Sequence, residues 1–557
     1  MFVGIDVGGT YTDAVLLENG QVMATAKVPT EVNLINSLTK ALDTIVKDEN
    51  KNRIKRIVFS TTIITNLIAE RRYEDVDVLI IPGPGLNHGF YKTMPYAHII
   101  SGAIDYRGRE VIPLKEQEIE TVLREIARRG TNRVGVVGKF SPRNTSHEKK
   151  VSEIAKNKYP QWQIELGAKI GSQLNFPRRI VTTYLTCATR EPYQSFIESI
   201  RQALNSRKIH AEIFILKADG GTTPLGRSEE FPVETIFSGP AASTLGVQAL
   251  IGEDETAVVV DIGGTTTDLA LILSGQPLLS SKGARVMGQL TQVRTLAVKS
   301  VAIGGDSVLD LRGKEINIHN QRKGPAYCLG GPVPTPTDAL RALGLVELGD
   351  KEKAITAMEL LGRDLNINVE QVAEQVINKV VDRITGEIKK MFLEWEQEPA
   401  YRVWEILHRH TLKPTMVAGV GGGAAGFSPL IAKNLGCRPT RLHYASVANA
   451  IGAALAKPTL QVNLRADTEQ GYYIIQEEGS QEKISDRKFN EKKALELAKN
   501  SLLKRALRYG LEPAAEEIEI INREVFNMVR GWDTTGRLYD ITVQTPRGIS
   551  ARVGAGE

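Results

Sequence analysis

The sequence is poor in the residues that hold disulfide-bonded or metal-rich proteins together. Its 557 residues include only three cysteines, Cys187, Cys328 and Cys437, and none has the close spacing of a metal-binding motif. This excludes a disulfide framework and an iron–sulfur or zinc site built on clustered cysteines. We expect buried or half-buried thiols, because free cysteine behaves as a small apolar side chain. His408 and His410 form the only close histidine pair, and on a helix they would point apart, so they do not predict a metal site.

Long apolar runs and charge of one sign are missing as well. No stretch reaches the ~18 apolar residues of a membrane-spanning helix, and the chain starts like a strand instead of a charged, then apolar, leader. We therefore expect a cytoplasmic protein with no membrane partner. A net charge of +5, without a basic stripe interleaved with aromatics, argues against nucleic acid as a partner. With 42% hydrophobic and 24% charged residues, the composition is typical of a globular enzyme.

What the chain does contain is one glycine-rich signature in two copies. Asp6–Asp13 reads DVGGTYTD and Asp261–Asp268 reads DIGGTTTD. When both copies are extended to sixteen residues they agree at nine positions, which indicates an internal duplication. The copies are too far apart for a solenoid, whose period is roughly 20 to 50 residues, so they predict two related lobes.

Each copy predicts a strand, a tight turn and a second strand. An apolar run ends at an acidic residue and meets Gly-Gly, and the next apolar run stops at Asn19-Gly20 or Ser274-Gly275, pairs suited to hairpins. A Gly-Gly-Thr turn offers backbone N–H groups and a hydroxyl to phosphate oxygens, beside a carboxylate suited to Mg²⁺. One isolated copy is most often only a hairpin turn, whereas two copies favour nucleotide binding. The candidate phosphate-binding residues are Gly8, Gly9, Thr10, Thr12, Gly263, Gly264, Thr265 and Thr266.

Two other small-residue segments are candidates for ligand contact. Ser238–Ala242 opens a helix in which Ser238 suits the N-cap, and such a helix start presents free N–H groups to an anion. The alternative is close helix packing that needs glycine and alanine. Gly421, Gly422 and Gly423 follow a predicted strand and suit a flat surface for a nucleobase and ribose, or else a plain turn.

Two proline positions give further local predictions. Ser428-Pro429 predicts a helix start, with serine as N-cap and proline as the first helical residue. The proline–threonine run of residues 330–338 predicts a loop that is neither regular helix nor central strand.

In this order the motifs resemble the superfamily of sugar kinases, actin and the large heat-shock chaperones, in which two similar lobes clasp ATP. Within it the chain is most similar to the hydantoinase A and 5-oxoprolinase family, over about residues 1–457. The resemblance rests on both copies of the signature, Ser60-Thr61-Thr62 through Asn66, Asp219-Gly220-Gly221, Ser238–Ala242, Gly324–Cys328, Pro334–Asp338 and Gly421–Gly423.

The resemblance implies an α/β protein with a duplicated, actin-like (ribonuclease H-like) two-lobe ATPase fold. We expect residues 1–250 to form the first lobe, with an inserted subdomain at about 70–180, and residues 251–457 to form the second. The remaining residues, 458–557, change to polar strands around one helix and predict a separate C-terminal α+β module.

The resemblance also implies the chemistry. It suggests an ATP-dependent amidohydrolase, or its A subunit, that phosphorylates the carbonyl of a cyclic amide such as a hydantoin or an oxoproline-like lactam. Asp6 and Asp261 would hold Mg²⁺, Asp13 or Asp268 would orient the acceptor, and Gly421–Gly423 would contact adenosine. The expected partner is a B-type hydantoinase/oxoprolinase subunit, and a homo-oligomer stays open. The alternatives are the ATP-using subunit of a ketone carboxylase and an ATP-driven activating or binding protein.

Overall fold

The computed structural model describes residues 1–554 with the exception of 86, 172, 398–412, 441, 479, 487, 510 and 512. The histidine pair His408 and His410 lies outside the described residues.

The chain opens with a strand hairpin followed by a third antiparallel strand and then a strand that returns parallel to the first. Asn19 and Gly20 both have positive φ, 51° and 78°, as the predicted hairpin turn requires. The first helix buries one apolar stripe and is capped by the side chain of Asn33. The elements are β1 (Phe2–Val7), β2 (Tyr11–Glu18), β3 (Gln21–Pro29), α1 (Leu34–Ile45), β4 (Arg56–Thr61) and α2 (Ile63–Ala69).

The next segment forms a sheet of its own. Four of its strands are parallel, in the order β10-β9-β5-β6, and its central strands are buried along their whole length, as expected when helices cover both faces. The elements are β5 (Asp77–Ile81), β6 (Ala97–Ile99), β7 (Ala103–Ile104), β8 (Glu110–Ile112), α3 (Glu116–Arg129), β9 (Arg133–Gly138), α4 (Ser146–Lys158), β10 (Gln163–Leu166) and α5 (Gly167–Ile170).

A long buried helix brings the chain back to the first sheet and completes it. The order of that sheet is β12-β11-β4-β1-β2-β3, in which β1, β4 and β11 run parallel. Their carboxyl ends therefore meet at one edge. The elements are α6 (Phe176–Ser206), β11 (Glu212–Leu216), β12 (Thr222–Pro224), α7 (Leu225–Ser228) and α8 (Ser238–Leu250).

The following part repeats this topology. Its main sheet has the order β15-β14-β13-β21-β22, with β18 added to β14, and β13, β21 and β22 run parallel. The elements are β13 (Ala257–Ile262), β14 (Thr267–Leu273), β15 (Gln276–Pro277), β16 (Arg285–Val286), β17 (Gln289–Leu290), β18 (Val298–Val301), β19 (Leu309–Arg312), β20 (Glu315–Ile318), α9 (Pro336–Ala342), α10 (Lys351–Leu365), α11 (Val369–Gln397), β21 (Met416–Val420), α12 (Ala424–Leu435), β22 (Arg438–Thr440) and α13 (Ala448–Leu455). The α/β fold of two similar lobes is as predicted.

The last part is an antiparallel sheet covered by one helix. The strand order is β25-β24-β23-β27-β26, and the helix buries a stripe of alanine and leucine against the sheet. The elements are β23 (Gln461–Asp467), β24 (Tyr472–Ile475), β25 (Ser480–Lys483), α14 (Glu491–Arg508), β26 (Glu519–Arg530) and β27 (Asp533–Gln544).

Two small-residue helices, α8 and α13, cross in direct backbone contact between the lobes. A Cβ on Gly246 of α8 would overlap the carbonyl oxygen of Ala448 of α13, and a Cβ on Gly452 would overlap that of Ala242. Glycine is required at these positions because the two backbones leave no room for a methyl group.

We expect Gly246→Ala to lower the free energy of unfolding by roughly 1–3 kcal/mol, since neither rigid backbone can give way. Gly386 in α11 is a matched control, because a Cβ there would meet no atom within 4 Å. Gly386→Ala should raise stability by roughly 0.5–1 kcal/mol through helix propensity. Urea unfolding of both variants measures the difference, and equal effects would contradict the close packing.

Three local predictions were wrong. Phe237, with φ of 60°, is the N-cap of α8, and Ser238 is instead buried and donates its hydroxyl to the Thr61 carbonyl at 2.8 Å. The helix after the triple glycine begins at Ala424, so Pro429 lies inside it. The proline–threonine run enters α9 at Pro336, because Thr335 and Asp338 form a capping box that suits proline at the first helical position.

The cysteine prediction is confirmed. Cys187 and Cys328 are buried, Cys437 is half-buried, and all three are free thiols. Burial raises the pKa of Cys187 well above its ordinary value. Within the described part of the chain, no helix combines the length and the apolar character needed to cross a membrane.

Candidate active site

The first signature forms a tight turn between β1 and β2. The Gly8 amide donates to the Tyr11 carbonyl at 3.0 Å, which closes the turn. Gly9 and Thr10 are exposed at its tip. The strand register places Asp6 directly opposite Asp13, so the exposed tip of the turn lies next to a pair of carboxylates.

The second signature has the same geometry between β13 and β14. The Gly263 amide donates to the Thr266 carbonyl at 2.9 Å, and the register pairs Asp261 with Asp268. The sequence duplication is therefore also a duplication of backbone geometry, with one carboxylate pair in each lobe.

Asp6 and Asp13 lie in a dense polar network. Ser60 donates its hydroxyl to Asp6. The Asn449 amide bridges the pair, donating to Asp6 at 2.6 Å and to Asp13 at 3.0 Å. Lys27 forms an ion pair with Asp13 at 2.8 Å. The carboxylates of the first lobe are thus fixed in orientation by three neighbours.

The carboxylates of the second lobe have fewer partners. Ser243 donates its hydroxyl to Asp261 at 2.6 Å. Asp268 lies opposite Ser300 on β18 and accepts a hydrogen bond from it. The position that Lys27 takes opposite Asp13 is thus taken by a neutral serine opposite Asp268. The two lobes share a backbone plan but differ in charge.

The two crossing helices connect the carboxylate pairs. Ser243 belongs to α8, the last helix of the first lobe, but it binds Asp261 of the second. Asn449 belongs to α13, the last helix of the second lobe, but it binds Asp6 of the first. The last helix of each lobe is therefore hydrogen-bonded to the signature of the other lobe, and the two signatures are held close together.

Burial and mutual repulsion raise the pKa values of these groups. Desolvation is the largest cause at Asp6, where Asp13 and Asp261 add repulsion, and the pKa rises to about 7. Burial, followed by repulsion from Asp261, also raises the pKa of Asp268 to about 7. Burial likewise raises the pKa of Asp261. The site is therefore short of positive charge.

These shifts predict how stability depends on pH. Because Asp6 holds its proton more tightly in the folded than in the unfolded chain, the free energy of unfolding should fall as pH rises from about 4 to about 7. Asp6→Asn should remove part of this fall, on the order of a few kcal/mol, since one pKa unit corresponds to about 1.4 kcal/mol. Urea unfolding at pH 5 and pH 8 in EDTA measures it, with the exposed Asp254→Asn as control. An unchanged pH slope would contradict the assignment.

The residues fit a divalent cation bound together with phosphate. Asp6, Asp13, Asp261 and Asp268 bring four carboxylates to one region, where Lys27 is the cation that offsets their charge. Among the described residues, no group of three or more His, Cys, Asp or Glu side chains has the arrangement of a metal centre. Mg²⁺ commonly uses one or two carboxylates and completes its shell with water and substrate phosphates. Asp6 and Asp261 can supply the one or two carboxylates that Mg²⁺ commonly uses.

The triple glycine packs against the second carboxylate pair. Gly421 has φ of 85°, and a Cβ there would lie 2.5 Å from an Asp261 carboxylate oxygen. A Cβ on Gly423 would lie 2.7 Å from the Ile262 side chain, whereas one on Gly422 would meet nothing within 4 Å. The turn is thus pressed onto the end of β13 and leaves an open backbone surface at its centre.

Not every candidate residue is exposed at the surface of the turns. Thr12 is buried, and its hydroxyl lies 3.0 Å from that of Thr30. Thr265 is half-buried and Thr266 is exposed. Gly264 packs against the loop of residues 304–306, whose amides donate to the turn carbonyls.

Sequence reasoning missed several polar neighbours. Lys27, Asn449, Ser243 and Ser300 stand in unremarkable sequence contexts and reach the site only through the fold. Arg322 was missed as well, and it pairs with Asp306 at 2.9 Å beside the second turn. Strand register offered a partial signal for Lys27, since it lies one hairpin away from Asp13.

Comparison with known proteins agrees with this geometry. A family model described as hydantoinase/oxoprolinase matches residues 179–462, and one described as the hydantoinase/oxoprolinase N-terminal region matches residues 2–159. The acetophenone carboxylase gamma subunit of Aromatoleum aromaticum is 26% identical over 62% of this chain and 53% of its own length. The caprolactamase subunit alpha of Pseudomonas jessenii is 25% identical over 71% of this chain and 63% of its own. The chain thus spans less than two thirds of these curated relatives.

Two solved structures share the fold. A nucleotide-free structure of acetone carboxylase superposes with a TM-score of 0.72 at 16% identity, covering 99% of this chain and 88% of that one. The ATP-dependent caprolactamase from Pseudomonas jessenii gives 0.69 at 20% identity, covering 97% and 87%. With the two family models matching most of its length, this chain belongs to the hydantoinase/oxoprolinase family.

Proposed function

We propose that this protein is an ATP-dependent amidohydrolase, or its A-type subunit, that activates the carbonyl of a cyclic amide. The observation that carries the proposal is the presence of two turns of the same geometry, each beside a carboxylate pair, which the hydrogen bonds of Ser243 to Asp261 and of Asn449 to Asp6 tie together across the lobes. Such an arrangement grips a polyphosphate from both sides. The family relative named as a caprolactamase supports a lactam as the acceptor.

The proposed binding roles follow from exposure and position. Backbone amides of Gly9 and Gly264, with the hydroxyls of Thr10 and Thr265, bind phosphate oxygens. The amides of Gly8 and Gly263, also candidates from the sequence, instead close the two turns. Asp6 and Asp261 hold Mg²⁺, which neutralises charge on the phosphates when it is bound. The open backbone at Gly422 accepts adenosine.

Of the two outer carboxylates, Asp268 is better suited than Asp13 to handle a proton. Asp13 is paired with Lys27, whereas burial and repulsion hold the pKa of Asp268 at about 7. A pKa near the working pH is the optimum for a general base. We therefore assign orientation of the acceptor or of water to Asp268.

The proposed reaction explains the use of ATP. An amide carbonyl is a poor electrophile, so the lactam oxygen first attacks the γ-phosphorus and ADP leaves. Water then adds to the activated carbon and the C–N bond breaks, with the ring nitrogen taking a proton, which leaves an acyl phosphate on the opened chain. A second water displaces inorganic phosphate from that carbon to give the ring-opened amino acid. One ATP and two waters are consumed for each ring opened, and the turns stabilise the charge on the transferring phosphoryl group.

A ketone carboxylase subunit is the second candidate, favoured by the relative named acetophenone carboxylase and by the fold shared with acetone carboxylase. Phosphate release with Mg-ATP distinguishes the two. We expect a lactam or hydantoin to stimulate release without bicarbonate. Stimulation that requires both a ketone and bicarbonate would favour the carboxylase, and release indifferent to every small substrate would favour an ATP-driven activating protein.

A further inference from the structure

A cavity of about 690 Å³ lies away from both turns and is lined by residues of both predicted lobes, the inserted sheet and the C-terminal module. Its walls include the loop before α4, helix α5, the loop after β11, and strands β23 and β24 with helix α14. None of the candidate phosphate-turn or triple-glycine residues lines it. The volume is in the range of cavities that enclose a small organic ligand.

The cavity wall is strongly basic. Nine lysines and arginines line it, against five aspartates and glutamates. Arg505 and Arg227 repel each other there, and burial together with this repulsion lowers the pKa of Arg505. Glu477 and Glu478 supply opposite charge on the same wall, but the cations still outnumber the carboxylates, so the wall favours an anionic ligand.

Arg143 gives the sharpest sign of a missing anion. Its side chain is only 6% exposed, and its nearest carboxylate, Asp540, lies 3.7 Å from Nη2. Among the described residues, nothing accepts a hydrogen bond from its Nε or Nη1. Buried guanidinium N–H groups without acceptors are costly, and a guanidinium fork matches the two oxygens of a carboxylate or phosphate.

Arg294, on the same wall, is oriented by neutral groups. Its Nη1 donates to the side-chain oxygens of Gln461 at 2.9 Å and Gln544 at 2.7 Å. These amides fix the guanidinium but do not neutralise it. A second oriented cation therefore faces the cavity beside Arg143.

We propose that this cavity binds a small organic anion through carboxylate or phosphate oxygens, with Arg143 as the principal donor. The site is separate from the ATP site, and the inference does not depend on the proposed function. It gives the C-terminal module a role, because residues of that module complete the wall.

The test uses citrate and inorganic phosphate as probes on the full chain without nucleotide. Binding is measured by calorimetry and by the shift in melting temperature, against sodium chloride at equal ionic strength. We expect Arg143→Met to weaken binding on the order of 10- to 100-fold, as for a lost hydrogen-bonded charge pair. Preference for citrate or for phosphate identifies which oxyanion the site takes.

Two controls separate binding from folding and from net charge. Arg124→Met on the exposed face of α3 removes the same charge and should leave binding unchanged. Without anion, Arg143→Met should melt no lower than the parent protein, because it removes an unsatisfied buried cation. If that variant does not fold, Arg505→Met replaces it, with the same expected loss of binding. Parent-like affinity in the folded variant, equal losses in the Arg124 control, or no binding of either probe would overturn the proposal.

Discussion

Replacing Asp6 or Asp261 with alanine is expected to lower ATP turnover by two to three orders of magnitude or more, about the cost of removing one preorganised electrostatic contact from an active site. Each carboxylate stands at a strand end, where it can meet Mg²⁺ and phosphate, and each has a matched partner in the other lobe. Both variants should therefore fail, and neither lobe should compensate for the other. Steady-state phosphate release measures the loss.

A control variant must show that the loss of turnover does not come from unfolding of the protein. Asp6→Asn keeps the shape of the side chain, and because Asp6 itself has a pKa of about 7, a neutral replacement should not lower the melting temperature. Asp254→Ala, on the surface, should retain full turnover. If the Asp6 and Asp261 variants both kept parent-like activity, the assignment of these two carboxylates would be wrong.

The isolated chain is expected to show weak or no ring-opening activity, and to gain it on addition of a B-type subunit. In the proposed site the turns would bind phosphate and activate a carbonyl, and the proposed chemistry then needs further groups to complete hydrolysis. Relatives carry subunit names, as in the caprolactamase subunit alpha and the acetone carboxylase beta subunit. We therefore expect the partner to supply what the second half of the reaction requires.

The measurement compares lactam-dependent phosphate release and ring-opened product with and without the partner, at saturating Mg-ATP. The Asp261→Ala variant mixed with the partner is the control, since it should restore nothing. Efficient ring opening by the purified chain alone would refute the partner requirement and leave the proposed ATP site unaffected. No product in either mixture, across many lactams, would shift the proposal to the carboxylase or the activating protein.

The sequence alone determined the duplicated plan of the protein. Strand, turn and strand are local features, so the apolar runs and Gly-Gly-Thr identified both hairpins, and the turns at Asn19-Gly20 and Ser274-Gly275 have the positive φ that their sequence predicts. The burial of the cysteines followed from their side-chain chemistry.

Local signals failed where tertiary contacts compete with them. Ser238 has the chemistry of an N-cap, but its hydroxyl donates to the backbone carbonyl of Thr61. Phe237 occupies the N-cap position instead. Pro429 marked a helix start, but the turn after the triple glycine had already begun the helix at Ala424. Propensity is a weak prior beside packing.

Only the tertiary structure decided which side chains surround the carboxylates and where the basic cavity lies. Asn449 contacts Asp6 across more than four hundred residues of chain, and Ser243 reaches Asp261 from a helix of the other lobe. Arg143 and Arg505 line one cavity because segments that are remote in the sequence pack together. Local sequence sets backbone geometry within a turn or helix, but hydrogen bonds and charges act through space, and distances between remote segments exist only once the chain has folded.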